Sequence, residues 1–248
     1  MIFAATGLGI FIGHRVRHLS ETLREPFGVL QGALLGVVGL LLAFGLSLAV
    51  SRYENRRANV VSEANAIGTA YLRAQTLDEP IRSRSLSLLV RYTEDAVRIS
   101  DAVPGSSQAD NPRADEGQIE RRLWRLAGTA LDGSPVASAP RLYVESLNDM
   151  IDGETARVAA LSNRVPTAVL VLEVLGSALA LGLLAAYLAI VGRGEIAVLL
   201  GAALVAFLLL VTADLDRPTR GMIQVPDAVL KSQLASMRDA PAAPAPSR

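Results

Sequence analysis

Hydrophobic residues in this chain are concentrated in long runs, and the first complete run determines the predicted architecture. Over residues 28–50, thirteen of the twenty-three positions are Leu, Val or Phe. These residues contribute roughly −4 to −8 kcal/mol to bilayer insertion, which outweighs Gln31 and the glycines of the run. As an α-helix the run is about 34 Å long, against a hydrocarbon core of about 30 Å. The pattern predicts a transmembrane helix.

The same helix is predicted to continue beyond the membrane. No Pro and no turn dipeptide separates the apolar run from the polar sequence 51–75. Within that sequence Val60, Ala64, Ile67 and Tyr71 follow one another at helical spacing, i, i+4, i+7 and i+11. We therefore expect one long helix, half in lipid and half in water.

Two further runs are long enough to cross a bilayer, and one at the N-terminus is not. Residues 167–191 and 196–213 predict full spans joined by a tight turn at 192–195. Residues 1–13 would form a helix only about 20 Å long. That length predicts a partial transmembrane helix or a re-entrant segment.

Between the first and second full spans the sequence predicts a soluble helical bundle. Helical stripes of apolar residues alternate there with breaks rich in Pro, Gly, Ser or Asp, at 78–80, 103–117 and 132–140. Four helices, the first being the extension of the long helix, predict an antiparallel arrangement. The chain is thus expected to be all-α, with an N-terminal membrane segment, a bundle, two transmembrane helices and a C-terminal segment, over residues 1–51, 52–166, 167–214 and 215–248. Pro and Ala over residues 240–248 predict a disordered tail.

Composition narrows the function classes. The chain has 248 residues, of which 51% are hydrophobic and 19% charged, as in a polytopic membrane protein with a moderate soluble part. A formal net charge of zero gives no general attraction to nucleic acid. The absence of Cys excludes disulfides, thiolate metal sites and Cys nucleophiles.

Basic residues near the spans predict the side on which the bundle lies. If the C-terminus shares that side, it carries eight of them: Arg52, Arg56, Arg57, Arg157, Arg164, Arg217, Arg220 and Lys231. The other side carries four: Arg15, Arg17, Arg24 and Arg193. The positive-inside rule therefore places the bundle and the C-terminus in the cytoplasm.

Small residues and one carboxyl group within the spans are candidate functional positions. Gly28, Gly32 and Gly36 recur every four residues, a spacing that lets helices approach closely. They predict either packing against the chain's own helices, or a subunit interface or pore-facing strip. Glu173 lies roughly 10 Å inside the second full span, where a charge costs about 2.5–3.5 kcal/mol. Its functional interpretations are pore lining or a proton relay. The structural ones are a neutral acid hydrogen-bonded to a neighbouring helix, or a side chain that snorkels to the interface.

Charged residues at the membrane boundary have two interpretations. In an oligomer, Arg52, Arg56 and Arg57 would surround a cytoplasmic mouth and raise the local anion concentration. The alternative, which the sequence alone favours, is anchoring to lipid headgroups. His14 and His18 have the i, i+4 spacing of a metal site, but the arginines beside them favour interfacial side chains.

A polar motif occupies the extension of the long helix. Glu63 and Tyr71 share one face, whereas Asn65, Thr69 and Arg73 share another. Polar groups at this density in a packed helix predict a buried hydrogen-bonded network. No His or Cys lies nearby, and no Gly-rich phosphate loop follows a strand. We therefore expect no enzymatic activity, no cofactor and no metal site.

Three motifs give the chain a family resemblance. The sequences RYENRRANVVSEANAIGTAYLRA (52–74), LLVRY (88–92) and DLDRPTRGMIQV (214–225) resemble a bacterial family of membrane proteins labelled bestrophin-like domain. The resemblance implies four transmembrane helices, with a helical cytoplasmic part between the second and third, in a bacterial inner membrane. It also adds candidate motif residues: Tyr92, Asp214, Asp216 and Arg217.

The similarity extends remotely to true bestrophins, which are pentameric anion channels whose second transmembrane helix lines the pore. The corresponding helix here is 28–50. The acidic calcium clasp of that family is represented only by Asp214 and Asp216, next to Arg217, so calcium control is not implied.

These observations together predict an oligomeric inner-membrane channel for small anions, with the bundle as its vestibule. Three or four spans cannot enclose a pore, so a homo-oligomer is required, and the resemblance implies a pentamer. The alternative is a non-conducting scaffold or signalling protein whose bundle binds a partner. A proton-coupled transporter, which would depend on Glu173, is a third possibility.

Overall fold

In the computed structural model, every regular element of the described residues is an α-helix. The structure describes residues 1–16, 24–102, 106–192, 194–217 and 221–239. Predictions for Arg17, His18, Arg193, Arg220 and the tail 240–248 concern residues outside these ranges. The helices are α1 Ile2–Val16, α2 Arg24–Ala74, α3 Ile81–Asp101, α4 Ser107–Gly133, α5 Ser138–Ser162, α6 Thr167–Val191, α7 Glu195–Leu215 and α8 Ala228–Asp239.

Helix α2 confirms that the first apolar run and the polar sequence after it form one continuous helix. It has 51 residues. Within its apolar part, Gln31, Val38, Gly45 and Ala49 are buried, and their spacing of seven, seven and four residues forms a single stripe. Residues beside the stripe, such as Leu34 and Leu41, are half-buried, and the opposite face is not covered by the chain's own described residues.

Three helical stretches of the described chain are long and apolar enough to cross a membrane. They are Gly28–Ala74, Ser138–Val191 and Ile196–Leu215, and α1 is a shorter apolar helix. The three predicted spans lie within these stretches. The turn between α6 and α7 depends on glycine, because Gly192 and Gly194 have φ values of 79° and 89°, which side chains with a Cβ rarely adopt.

The apolar helices form one compact unit, residues 1–52 and 164–217. Glycines allow α1 to pack closely on α6. A Cβ built on Gly9 would overlap the carbonyl oxygen of Gly182, and one built on Gly13 would overlap that of Ala186. Because lipid gives no hydrophobic drive for association, such close backbone approach supplies the packing.

The second compact unit comprises residues 53–163 and 218–248. Its core contains residues from the second half of α2 and from α3, α4, α5 and α8, such as Ile67, Leu89, Leu123, Leu147 and Leu230. Full burial of each such side chain stabilises the unit by about 1.5–3 kcal/mol. The apolar stripes of the sequence therefore face a shared core, and α8 adds a helix from the C-terminal segment.

The predicted break at 103–117 is wrong over most of its length. Helix α4 begins at Ser107 and contains Pro112 and Gly117. Pro removes one backbone donor and Gly lowers helix propensity. The helical register, however, carries Glu116 into the core, where it contacts Arg157, so tertiary contact outweighs local preference. The other two predicted breaks agree with the intervals between α2 and α3 and between α4 and α5.

Candidate functional site

Small residues form one part of the surface of α2 that its own unit leaves uncovered, beside exposed large residues such as Leu40 and Phe44. Gly32 and Gly36 are exposed, and apart from the adjacent residues of α2 itself, no atom of the described residues lies within 4 Å of a Cβ built on either. Packing against the described helices of the same chain therefore does not explain these two glycines. Gly28 differs, since its Cβ would lie 3.5 Å from the hydroxyl of Tyr187 in α6.

Glu173 is buried where α6 approaches α2 closely. Its side chain is 2% exposed, and its carboxyl group occupies the space where a side chain at Gly45 would begin. Ser177, one turn further along α6, is fully buried. Among the described residues, neither its hydroxyl nor either carboxyl oxygen of Glu173 has a hydrogen-bond partner. The carboxyl group faces α2 inside the unit, so snorkelling to the interface does not describe it.

The arginines that follow the first span have different surroundings. Arg56 is 1% exposed; its Nε donates to the carbonyl oxygen of Ala160 at 3.3 Å, and its Nη2 to that of Asn163 at 2.9 Å. These carbonyls end α5, where the helix itself provides no donors. This placement does not fit the predicted role of Arg56 at an aqueous mouth. Arg57 is exposed and Arg52 is half-buried.

The polar motif of α2 divides into a buried face and an exposed face. Glu63 is 0% exposed and Tyr71 is 7% exposed. The Tyr71 hydroxyl donates to the carbonyl oxygen of Met237 in α8 at 2.9 Å. Asn65 and Thr69 are exposed, so the predicted buried network does not run through them.

Arg73 connects the end of α2 to α5. Its Nη1 donates to the carbonyl oxygen of Leu142 at 2.7 Å and lies 3.4 Å from the carboxylate of Glu145. The pair is partly exposed to water, so its contribution to stability is small. The role of Arg73 in the described structure is therefore to position α2 on α5.

Glu63 belongs to a buried ionic cluster that sequence reasoning missed. Arg157 of α5, 1% exposed, is ion-paired with Glu63, and its Nη2 lies 3.7 Å from Oε1 of Glu116 in α4. Tyr92 of α3 is fully buried in the same unit. A signal was present, because Glu116 falls in register with the apolar positions Ile119 and Leu123 of α4. A charged residue within an apolar stripe requires a partner in the core.

Burial determines the protonation of this cluster. It raises the pKa of Glu116 to about 9, against a partial opposing effect of Arg157. Burial also raises the pKa of Glu63, again opposed by Arg157. At the edge of the cluster, burial and the charge of Glu154 raise the pKa of Glu120 to about 7. At neutral pH, Glu116 thus retains its proton beside the Arg157 guanidinium.

Asp216 holds the backbone segment that leads into α6. It is 7% exposed, and its Oδ1 accepts a hydrogen bond from the backbone N–H of Val165 at 2.7 Å. The first N–H groups of a helix and those just before it lack intrahelical partners, and a carboxylate satisfies them well. Asp214 is half-buried and Arg217 is exposed beside it. No group of three or more potential metal ligands occurs among the described residues.

The sequence matches the family model of the bestrophin-like domain over residues 1–230. The chain belongs to the bestrophin-like family. This confirms the resemblance expected from the three sequence motifs. No protein of curated function matches the chain significantly.

Solved structures share the fold of this bestrophin-like chain. A point variant of a bacterial bestrophin homolog from Klebsiella pneumoniae is 14% identical, with a TM-score of 0.71 over 96% of this chain and 98% of that one. Another structure of the Klebsiella homolog is 14% identical to this chain, with a TM-score of 0.70 over the same shares of the two chains. A point variant described as a membrane protein is 15% identical to this chain. Its TM-score is 0.71, again over 96% of this chain and 98% of that one. At these identities the likeness concerns the fold alone.

In this bestrophin-like protein, the motif residues are divided between the two compact units. Glu63, Tyr71 and Tyr92 lie in the core of the unit that contains α3, α4, α5 and α8. Asp216 lies in the unit of apolar helices. Most of these residues contact backbone groups or other buried charges, so they position helices. Among the candidate residues, the exposed ones include Gly32 and Gly36 of α2 and the polar Asn65 and Thr69 of its second half.

Proposed function

We propose that this bestrophin-like chain assembles into an oligomeric membrane channel that conducts small anions. The observation that carries the proposal is α2, a single helix whose apolar part has a face of small residues uncovered by its own unit and whose second half enters a polar bundle. Residues 28–50 would line the conduction path. Because three spans cannot enclose a pore, identical copies surround it, five of them by family resemblance.

The unit of residues 53–163 and 218–248 forms the vestibule, as an antiparallel bundle on the cytoplasmic side of a bacterial inner membrane. The positive-inside count supports this side when the C-terminal segment is counted with the bundle. That segment falls in the same compact unit as residues 53–163. Exposed Arg57 and half-buried Arg52 near the end of the span would raise the local anion concentration.

Conductance of the purified protein in planar bilayers tests the proposal. Under a chloride gradient, the reversal potential should move toward the chloride equilibrium potential. Gly36→Leu places a large side chain on the uncovered face of α2 and should lower conductance by about tenfold or more, because a hydrophobic constriction dewets a pore. Gly201→Leu is the matched control, since Gly201 of α7 is likewise without described atoms within 4 Å of its Cβ position.

An absence of conductance under every ion gradient, or a monomer in mild detergent, would contradict the channel. Equal loss of conductance in both glycine variants would contradict the assignment of the path to α2. Capture of one stoichiometric cytoplasmic partner without ion flux would support the non-conducting scaffold instead.

A further inference from the structure

A basic cleft lies between α3 and α4. It has a volume of about 560 Å³ and is lined by Arg84 of α3 and by Arg122 and Arg125 of α4, and its described lining residues include no Asp or Glu. Within the described part of the chain, none of these guanidinium groups is paired with a carboxylate. Three like charges around one cleft repel one another, so the cleft is suited to a negatively charged occupant.

The surface beside this cleft has the composition of a protein interface. An adjoining cleft of about 710 Å³ shares Arg122 and Arg125 and also contains Arg121, Trp124 and one carboxyl group, that of Glu120. Trp124 is 46% exposed. Arg and Trp are enriched in protein–protein interfaces and in the residues that carry their binding energy. This favours a protein surface over a small ion as the occupant.

An acidic cleft lies between α2 and α5 of the same unit. Its volume is about 490 Å³, and the described residues that line it include Asp149 and Asp152 of α5 and no Arg, Lys or His. Asn65 and Thr69, the exposed residues of the α2 motif, line it as well. The exposed face of the motif therefore forms part of a cleft wall and not part of the core.

The two clefts share neither a residue nor a helix. A contact that closes a ring of identical copies joins two different patches of the chain, one from each neighbour. Opposite charges on the two patches favour the correct pairing and oppose like-to-like contacts.

We propose that the surface around the basic cleft of one copy packs against the surface around the acidic cleft of the next, so that Arg84, Arg122 and Arg125 face Asp149 and Asp152 across the interface of a homo-oligomer. The occupant of each cleft is a second copy of this chain. The inference rests on the oligomer of the proposed function and specifies how its soluble parts associate.

Charge reversal in the full-length protein tests the pairing. Arg122→Glu and Asp149→Arg, made singly, should each raise the protein concentration at which the oligomer dissociates by about tenfold or more, because like charges then meet. The double variant carries both reversals and restores opposite charges, so it should return to within about threefold of the wild type. Light scattering of the protein in mild detergent gives the oligomer fraction against concentration.

Two controls separate the pairing from net charge and from misfolding. Arg91→Glu and Asp132→Arg reverse exposed charges outside both clefts and should leave assembly unchanged. The double variant contains the same two substitutions as the single ones, so its recovery shows that neither prevents folding.

Several outcomes would overturn the inference. An oligomeric wild type whose single variants assemble normally overturns the pairing and leaves the proposed channel standing. A monomeric wild type overturns both. A third outcome is that Arg122→Glu loses assembly, Asp149→Arg alone does not, and the double variant is not restored. This would also overturn the pairing and would assign the basic cleft to another ligand, such as an anion.

Discussion

Arg157 is the cation of the buried ionic cluster. Its guanidinium lies between Glu63 and Glu116, and all three side chains are at most 2% exposed. Removing one partner of a buried ion pair typically costs about 3–5 kcal/mol, because the remaining charge stays in the core. Arg157 carries one positive charge and contacts two carboxyl groups, so one of the two carries no charge. Glu116 is the one that keeps its proton at neutral pH.

Glu116→Gln should flatten the pH dependence of stability. The pKa of Glu116 is raised from 4.5 to about 9, so between these values the folded state binds a proton that the unfolded state has lost. The contribution of Glu116 to the free energy of unfolding therefore falls as pH rises through this window, by at most about 1.4 kcal/mol per pH unit. Gln keeps the shape but does not titrate.

Urea unfolding at about pH 6 and about pH 8.5 measures this difference. Glu54→Gln, which changes a carboxylate that is 57% exposed, should keep the wild-type slope. A slope in Glu116→Gln equal to that of the wild type would show that another group binds the proton.

Arg56 and Arg57 are adjacent in sequence and should differ in their effect on stability. Arg56→Ala removes the donors that satisfy the carbonyl oxygens of Ala160 and Asn163, at a cost of about 1–3 kcal/mol. Arg57→Ala changes an exposed side chain and should alter stability by no more than about 0.5 kcal/mol. Thermal unfolding distinguishes them, and equal destabilisation would contradict the assigned helix-end role of Arg56.

Among the elements, α1 and α6 depend on glycine for their crossing. The Cβ of an alanine at Gly9 would overlap the backbone oxygen of Gly182, which no rotamer change relieves. Gly9→Ala should destabilise the unit of apolar helices by about 1–3 kcal/mol. Gly7→Ala, two residues earlier in α1, meets no described atom within 4 Å and gains up to about 1 kcal/mol of helix propensity.

Thermal unfolding of the two variants in detergent tests the crossing. Gly9→Ala should unfold at a lower temperature than the wild type, and Gly7→Ala at the same or a higher one. Wild-type behaviour of Gly9→Ala would mean that α1 and α6 do not approach as closely as the structure shows.

The element boundaries also show where local sequence was sufficient. The span predicted at 167–191 coincides with α6, because hydropathy alone determines which stretch prefers lipid. The start of α4 was predicted about ten residues too late, because Pro112 and Gly117 favour a loop locally. The contact of Glu116 with Arg157, a residue of another helix, supports the longer helix.

For the whole molecule, the proposed sidedness is open to a direct test. The chain has no native Cys, so single cysteines report accessibility without interference. Val136→Cys lies in the interval between α4 and α5 at a residue that is 91% exposed. In spheroplasts it should react with a membrane-permeant maleimide and not with an impermeant one.

Arg193→Cys, in the short connection between α6 and α7, is the matched control and should react with both reagents from outside. Reaction of Val136→Cys with the impermeant reagent would place the bundle outside the cell and would remove the cytoplasmic vestibule from the proposal.

The sequence by itself determined the helical content, the three spans, the continuity of α2 and the family. Each of these depends on patterns that neighbouring residues carry, such as hydropathy, periodicity and motif spacing. Only the tertiary structure decided three further facts. Arg157 contacts Glu63 and Glu116, Arg56 donates hydrogen bonds to the last carbonyl groups of α5, and Asn65 and Thr69 line a cleft. These facts depend on which distant segments meet in three dimensions, and no local pattern specifies the partner of a buried charge.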